Sequence, residues 1–439
     1  MAGHVLFQLD VHSLEWYCAD VLQRVLRDNA LDACEEDSVA PVVTVGLDGD
    51  SVSVTDNGPG LPEDTLRGSL NYMVKVSNKT RYVSPTRGRQ GNALKCVWAA
   101  PFVYNGERGQ VEVITPRYAY EVSVVVNKLH QKPQVDLIPL NRPFVKNGTV
   151  IKVWWQKKAS FISDSKPGDF YKKALNLLQS YATFNPHAGF HLCQDGETLI
   201  VSDPLVTSWQ KWLPSDPTSP HWYSVDDFSD LLRAQVTNGQ SQKTVRQFVS
   251  EFCGLTSTAK QQSVAAQAGL SGQILGDLVT DGDLDADKVE RLLKAMRAAS
   301  KPVKASKLGA IGKEAMIKRL IEVDGIAAEG VLNYVKQVSD DVMRPHIVEV
   351  AIGHRQDREK RRIRFGLNFS PTLDIPFPLL RDWLGEAMME SRDPLCISVH
   401  VTTPRFDYIG RSKSMLVQGD PGENDEDQEE KTEEEEFLI

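Results

Sequence analysis

Apolar residues within residues 13–36 recur at helical spacing (Leu14, Cys18, Val21, Leu22, Val25, Leu26, Leu31) and predict one long helix. The period then changes. From Pro41 to Thr55 apolar and polar residues alternate, with Val43, Val45 and Leu47, then Val52 and Val54, on one side. This pattern predicts two strands, and Asp48-Gly49-Asp50 predicts the hairpin turn between them. Residues 57–92 lose both periods and fill with Gly, Pro, Ser and Asn. Such long irregular stretches are functional or disordered. Strand patterns return at Val111–Pro116, Tyr118–Asn127, Val135–Pro139 and Thr149–Trp155, and a helix pattern at Asp169–Ala182. Residues 1–235 therefore read as helices on one face of a mixed sheet, an α/β sandwich.

Residues 236–325 read as a second, nearly all-helical unit of short pieces, with a basic segment from Lys301 to Arg319. Strand patterns resume at His346–Gly353 and Arg361–Asn368, followed by a helix near Leu379–Glu390 and a strand at Leu395–Thr402. Residues 326–417 thus form a third, α+β unit, and residues 418–439 a tail. The fold class expected is a multidomain α+β protein.

Composition changes this picture in one respect. The chain has 439 residues, 41% apolar and 25% charged, as ordinary globular proteins do. Its net charge is −9, yet residues 420–439 hold eleven acids and one base, or −10, and the other 419 residues carry +1. The acidity belongs to a tail too poor in apolar residues to bury a core, so that segment is expected to be disordered. It ends in Glu436-Phe437-Leu438-Ile439, which suits either a docking peptide or a solubilising end. The six cysteines are scattered without metal-binding spacing, a reduced-compartment pattern. Neither a signal peptide nor a run of about 18 apolar residues is read, so the expectation is a cytoplasmic protein without a membrane segment, nucleoid-associated if prokaryotic.

Three segments carry candidate chemistry. On the first helix, Asn29 and Asp32 lie three apart on one face. An amide oxygen there suits a Mg²⁺ that also holds phosphates, because Mg²⁺ takes hard oxygen ligands. Directly after a strand comes Asp56-Asn57-Gly58-Pro59-Gly60. Its carboxylate can accept from an exocyclic amine, and its glycines let backbone approach a ring. The third segment, Arg87-Gly88-Arg89-Gln90-Gly91-Asn92-Ala93, leads into a helix from Leu94 and has the form of a phosphate cradle. Singly, a polar helix residue, a plain turn and a surface loop account for them. In this order, with Asn147-Gly148-Thr149 opening a later strand, they form a constellation.

That constellation resembles the GHKL (Bergerat) ATP-binding fold shared by gyrase, MutL, Hsp-type chaperones and histidine kinases. Further segments are similar to the B subunit of DNA topoisomerase VI: Leu31-Asp-Ala-Cys-Glu-Glu36, Tyr181-Ala-Thr-Phe-Asn-Pro-His-Ala188, Phe248-Val-Ser-Glu-Phe252, Ser257-Thr-Ala-Lys260 and Leu308-Gly-Ala-Ile-Gly-Lys-Glu314. Pro345–Gly353 and Val399–Thr403 resemble strands of that family's transducer domain. The resemblance implies a Bergerat ATPase domain, a helix-two-turn-helix-like insert and a truncated transducer-like domain. It implies ATP and Mg²⁺ as cofactors, with Asn29 on Mg²⁺, Asp56 on adenine, and Gly58 and Gly60 shaping the pocket. Asp32, Lys79, Gly88, Arg89, Gln90, Gly91, Asn92 and Ala93 are counted with the nucleotide-binding residues, and Thr149 sits near the base. Lys413, in Tyr408-Ile-Gly-Arg-Ser-Lys413, aligns with the transducer lysine that touches the γ-phosphate, or is a solvated surface lysine.

Three departures from the family qualify this. The catalytic glutamate's position, four residues before Asn29, is Val25, so the general base is not found and hydrolysis is expected to be weak or absent. The last lid glycine is Ala93. The acidic tail follows Lys413 where a coupling helix is expected. Two basic clusters suit either a DNA backbone or a solvated face: Arg297, Lys301, Lys304, Lys307, Lys313, Lys318 and Arg319, and Arg355, Arg358, Lys360, Arg361, Arg362 and Arg364. The expected function is an ATP-dimerised subunit that gates capture of double-stranded DNA for a separate DNA-cleaving A-type subunit. The alternative is a nucleotide-switched DNA clamp or scaffold that recruits a nuclease.

Overall fold

A computed structural model describes residues 28–48, 51–71, 82–87, 93–105, 109–127, 132–154, 169–194, 196–207, 209–280, 283–328, 330, 332–355, 361–372, 393–406, 408–409 and 415–416. Val25, Lys79, Gly88 to Asn92, Arg358, Lys360, Lys413, the expected helix at 379–390 and the acidic tail lie outside the described residues, and of Ala93 only the backbone is described.

The first helix is described over residues 28–36 (α1). The alternating segment folds as read: β1 (Val42–Asp48) and β2 (Ser51–Thr55) pair antiparallel, with Val43, Val45, Leu47, Val52 and Val54 buried on one face. Then come α2 (Glu63–Ser69), α3 (Ala93–Asn105), β3 (Gly109–Ile114), β4 (Ala119–Asn127), β5 (Lys132–Pro139), β6 (Val150–Trp154) and α4 (Asp169–Phe184). Two further strands, β7 (Gly189–Gln194) and β8 (Glu197–Ser202), complete an eight-stranded sheet of order β5-β4-β3-β6-β2-β1-β7-β8. Only β1 and β7 pair in parallel; the other neighbours are antiparallel. The buried stripes of α1 (Ala30, Leu31), α3 (Val97, Trp98) and α4 (Leu178, Tyr181) pack on the inward strand residues to form one core. This is the mixed sheet with helices that the periodicities predict.

The helical unit is built on short helices: α5 (Val225–Gln235), α6 (Val245–Val249), α7 (Thr258–Gln267), α8 (Ala286–Ala299) and α9 (Lys313–Asp324). Ser224 and Thr244 each form a capping box, and Ser257, which opens one family-like segment, caps α7 by accepting from Lys260 N–H. A two-residue hairpin, β9 (Val279–Thr280) with β10 (Asp283–Leu284), interrupts the helices. Its core gathers Tyr223, Phe228, Phe248, Phe252, Leu275, Leu292 and Met296, but also Trp212 and Trp222. Trp212 and Trp222 in that core precede the expected boundary at 236.

The third unit is a five-stranded sheet of order β11-β12-β15-β13-β14, made of β11 (Leu332–Ser339), β12 (His346–His354), β13 (Arg362–Leu367), β14 (Ser370–Pro371) and β15 (Leu395–Thr402). β13 and β14 form a tight hairpin whose two turn residues, Asn368 (φ 48°) and Phe369 (φ 67°), are both left-handed. Everything so far lies in one compact unit, Met1–Pro371 with Ser391–Arg405. The second, smaller unit holds the two-residue strands β16 (Tyr408–Ile409) and β17 (Met415–Leu416), paired antiparallel.

Candidate functional site

The Asp56–Gly60 turn leaves the end of β2 and is folded against the chain entering β6. Asp56 Oδ1 accepts from Gly58 N–H at 2.9 Å and from Thr149 N–H at 3.2 Å. Burial pushes the Asp56 carboxyl up, and the bonds from Gly58 and Thr149 only partly offset it. The Thr149 hydroxyl accepts from Leu61 N–H at 2.9 Å, so Thr149 holds both ends of the turn. Two glycines make this close approach possible. Gly148 has φ 78°, and a Cβ there would stand 1.8 Å from the Asp56 carbonyl oxygen. Gly60 has φ 87°, and its Cβ would meet Pro116 Cδ at 2.8 Å. Gly58 faces α1, where a Cβ would come 3.2 Å from Cys34 Sγ. Asn57 ties the turn down by accepting from Val42 N–H at 2.7 Å and donating to the Ala40 carbonyl at 3.0 Å. Asp56, Gly58, Gly60 and Thr149 are thus brought together as read from the sequence.

Asn29 lies exposed on the first described turn of α1. Its neighbour Asp28 is committed elsewhere: it accepts from the Tyr181 hydroxyl at 2.9 Å and, on both carboxylate oxygens, from the Ser370 hydroxyl at 2.9 Å. No cluster of three or more His, Cys, Asp or Glu fit for a metal exists among the described residues. An exposed amide oxygen fits the alternative arrangement, a Mg²⁺ held mainly by ligand phosphates and water.

Asp32 turns to a different task. With Glu35 it faces Arg87, whose guanidinium lies 2.6 Å from Asp32 and 2.7 Å from Glu35. Lys211 Nζ approaches Glu35 at 2.5 Å and Asp32 at 3.5 Å, and His187 Nε2 donates to Glu35 at 2.8 Å. Arg87 also donates to the Asn185 side chain. Arg87 and Lys211 are almost fully buried, so this is an interior ionic hub with two cations against two carboxylates. Burial pushes the Glu35 carboxyl up, but Arg87, Lys211 and the bond from His187 outweigh it and hold it well below the usual range. For Asp32 burial wins over Lys211 and Arg87, and its carboxyl is raised. Burial lowers His187 to about 4 despite Glu35, so its ring is neutral at physiological pH.

The hub explains two family-like segments at once. Glu35 comes from Leu31–Glu36 and Asn185 and His187 from Tyr181–Ala188, and both converge on Arg87, the first residue of the expected phosphate-cradle segment. The stretch leading to Arg87 is held at its other end by the helical unit. The Tyr82 hydroxyl donates to Glu251, Val83 N–H to the Tyr223 hydroxyl at 2.8 Å, and the Thr218 hydroxyl to the Val83 carbonyl at 2.7 Å.

Several residues of the two basic clusters are engaged with the protein itself. Arg319 is 0% exposed and donates to the carbonyls of Ala182 at 3.0 Å and Asp203 at 2.7 Å. Arg297 donates to the carbonyls of Pro220 and Tyr223. Arg362 and Arg364 pair with the buried Asp324, and Arg355 is buried. Arg319, Arg355 and Arg364 are thereby removed from a solvated face, whereas Arg297 and Arg362 stay half-buried. Lys301, Lys304, Lys307, Lys313 and Lys318 are exposed.

Sequence reasoning missed Lys211 and a second buried cluster. Glu349 on β12 accepts from Ile311 N–H at 2.8 Å, Gly312 N–H at 2.7 Å, the Tyr334 hydroxyl at 2.8 Å and His400 Nδ1 at 3.1 Å. It thereby joins three family-like segments. The available signal was an acid and a histidine at positions where strand alternation demands apolar residues. No helix among the described residues is long and apolar enough to cross a membrane.

Comparison with known proteins finds no matching family model. The chain is 22% identical over 422 residues to the B subunit of type 2 DNA topoisomerase 6 from Archaeoglobus fulgidus, covering 89% of this chain and 65% of that protein. The Methanococcoides burtonii protein of the same name is 24% identical over 343 residues, covering 74% and 51%. That of Pyrococcus furiosus is 28% identical over 276 residues, covering 60% and 45%. The chain thus spans from under half to just under two thirds of the length of these relatives. Among solved structures, the Aquifex aeolicus MutL ATPase domain complexed with ADP aligns over 87% of this chain and 90% of that one, at 12% identity and a TM-score of 0.36. The B-subunit of DNA gyrase from Myxococcus xanthus aligns over 93% and 88%, at 13% identity and a TM-score of 0.36.

Proposed function

We propose that this chain, a GHKL-type protein resembling the B subunit of type 2 DNA topoisomerase 6, binds ATP with Mg²⁺ and uses it to close two copies around double-stranded DNA. The observation that carries the reading is the buried Asp56 carboxylate, pinned through Oδ1 by the Gly58 and Thr149 amides. In this reading the carboxylate accepts from the exocyclic amine of adenine. Asn29 holds the Mg²⁺, and Gly58 and Gly60 shape the floor of the pocket. Lys79 and the stretch from Gly88 through Arg89, Gln90, Gly91 and Asn92 to Ala93 enclose the phosphates, with Lys413 on the γ-phosphate. The ionic hub at Arg87 fixes the start of that stretch. Bound Mg²⁺ supplies neutralisation of phosphate charge.

Hydrolysis is slow in this reading. Val25 stands at the general base's position, and Asp28 does not replace it, because both its oxygens already accept hydroxyl donors. Nucleotide then acts chiefly as a switch for capture, and DNA cleavage belongs to a separate A-type subunit. The commitment of Asp28 also favours the second reading, a clamp that recruits a nuclease or other DNA-processing partner. Sedimentation velocity with a non-hydrolysable ATP analogue tests the switch: the chain should become a dimer, and a monomer at saturating analogue would refute it. If Val25 limits turnover, Val25→Glu should raise the hydrolysis rate by about 10²–10⁴-fold. Intact ATP binding without any gain in rate would sink that assignment.

A further inference from the structure

We infer that Ser370, at the tip of the β13–β14 hairpin, is a positioning residue for the nucleotide site, holding the turn that carries Asn29 through its hydrogen bonds to Asp28. The inference rests on the proposed nucleotide site. It assigns the hairpin the task of making nucleotide binding responsive to the five-stranded sheet.

The tip is built to hold one position. Its turn residues Asn368 and Phe369 are consecutive non-glycine residues at φ 48° and 67°. Such backbone persists only where the surroundings over-determine it, and here they do. Asn368 exchanges bonds with Thr403, donating to its carbonyl at 3.0 Å and accepting from its N–H at 3.0 Å. Phe369 N–H donates to His400 Nε2 at 3.1 Å, and the Phe369 carbonyl accepts from Asn185 Nδ2 at 2.9 Å. The Phe369 ring is fully buried, edge-on to Trp209 at 4.6 Å. Gly366, in the same hairpin, allows the Phe184 ring of α4 to approach to where a Cβ would meet it at 2.7 Å.

From this fixed platform the Ser370 hydroxyl reaches both oxygens of Asp28 at 2.9 Å. Asp28 is adjacent in the chain to Asn29 and lies on the first described turn of α1. A hydroxyl on a carboxylate is a charge-assisted bond with defined direction. The Tyr181 hydroxyl on Oδ1 comes from α4, in the ATP-binding unit's own core, so among the described hydrogen bonds to Asp28 those from Ser370 come from the five-stranded sheet. A shift of the hairpin would move Asp28, and with it Asn29, while Asp56 keeps its separate anchorage to Gly58 and Thr149. The metal side of the site should therefore feel Ser370, and the base side should not.

Calorimetric titration of the full chain with ATP, once with Mg²⁺ and once with EDTA, tests this. Ser370→Ala should weaken ATP binding in Mg²⁺ about tenfold, the worth of one hydrogen bond to a charged group, and leave affinity in EDTA unchanged; Ser370→Thr should restore it. Unchanged affinity in both buffers, or equal loss in both, overturns the assignment, as does failure of threonine to rescue. If Ser370→Ala does not fold, Asp28→Asn keeps one acceptor oxygen and should give a smaller loss with the same Mg²⁺ selectivity; equal loss in both buffers overturns it. No ATP binding by the wild type in either buffer overturns the nucleotide site itself and this inference with it.

Discussion

At the scale of single residues, the site depends on backbone approach as much as on side chains. Gly148 and Gly196 share a left-handed φ, 78° and 83°, but differ in surroundings: a Cβ at Gly148 would strike the Asp56 carbonyl, whereas one at Gly196 would meet open space. Gly196→Ala should cost only the local strain of about 1–2 kcal/mol. Gly148→Ala should cost more and should displace the Asp56 turn, so that ATP binding falls together with the melting temperature. Comparing the two variants by thermal melts and titration checks this. The Asp56 turn was legible in the sequence because its parts are consecutive and follow a strand whose alternation is clean. Arg319 and Arg364 were illegible for the opposite reason. A guanidinium in a charged stretch reads as solvated, and only tertiary packing reveals that Arg319 donates to Ala182 and Asp203 and that Arg364 meets Asp324.

At the scale of elements, buried charge fastens one segment to the next. Arg87 joins α1, the start of the expected phosphate-cradle segment and the end of α4, and Arg87→Ala would leave Glu35 and Asp32 with Lys211 as their remaining buried cation. Removing one partner of a buried ion pair costs about 3–5 kcal/mol, and denaturant unfolding should show a loss of this size. Lys211→Met should cost less, because Arg87 keeps its two bonds to Glu35. Glu349 fastens the chain entering α9 to β12, β15 and β11. Burial raises its carboxyl, but His400 and the Ile311 and Gly312 amides hold it down at about 2, against 4.5 for a free glutamate. A carboxyl depressed in the folded state stabilises above its unfolded pKa and loses that contribution as pH falls toward the folded value. The melting-temperature gap between wild type and Glu349→Gln should therefore be full at pH 7 and close between about pH 4.5 and 2; a gap independent of pH would contradict this role. Two elements escaped the sequence reading for local reasons. β11 is an edge strand, largely exposed, so it shows little apolar alternation. The β7–β8 hairpin is signalled mainly by the residue pair Asp195-Gly196 in the sequence, because β8 is exposed along most of its length and lacks a buried stripe.

At the scale of the whole molecule, the uneven charge of the chain frames its partners. The acidic tail accounts for the negative total, and among the described residues of the two basic clusters the fully exposed ones are the lysines at 301, 304, 307, 313 and 318. Reversing Lys301, Lys304 and Lys307 to Glu should weaken duplex DNA binding at every sequence alike. It should also flatten the salt dependence by about 0.9 in log–log slope for each phosphate no longer neutralised; unchanged affinity and slope would place DNA elsewhere. The mixed α+β fold class was legible because the helix and strand periods are distinct along the chain: mixed, helical, then strand-rich. The seam between the mixed and the helical stretch was not, because Trp212 and Trp222 sit among loop-like residues and reveal their helical partners only in the packed core. All of this turns on whether the site holds a nucleotide. The most direct measurement is calorimetric titration of ATP with Mg²⁺ into the wild-type chain and into Asp56→Ala. One ATP should bind per wild-type chain and none to the Asp56→Ala variant at unchanged circular dichroism; no binding by the wild type, or micromolar affinity retained by Asp56→Ala, would overturn the nucleotide site.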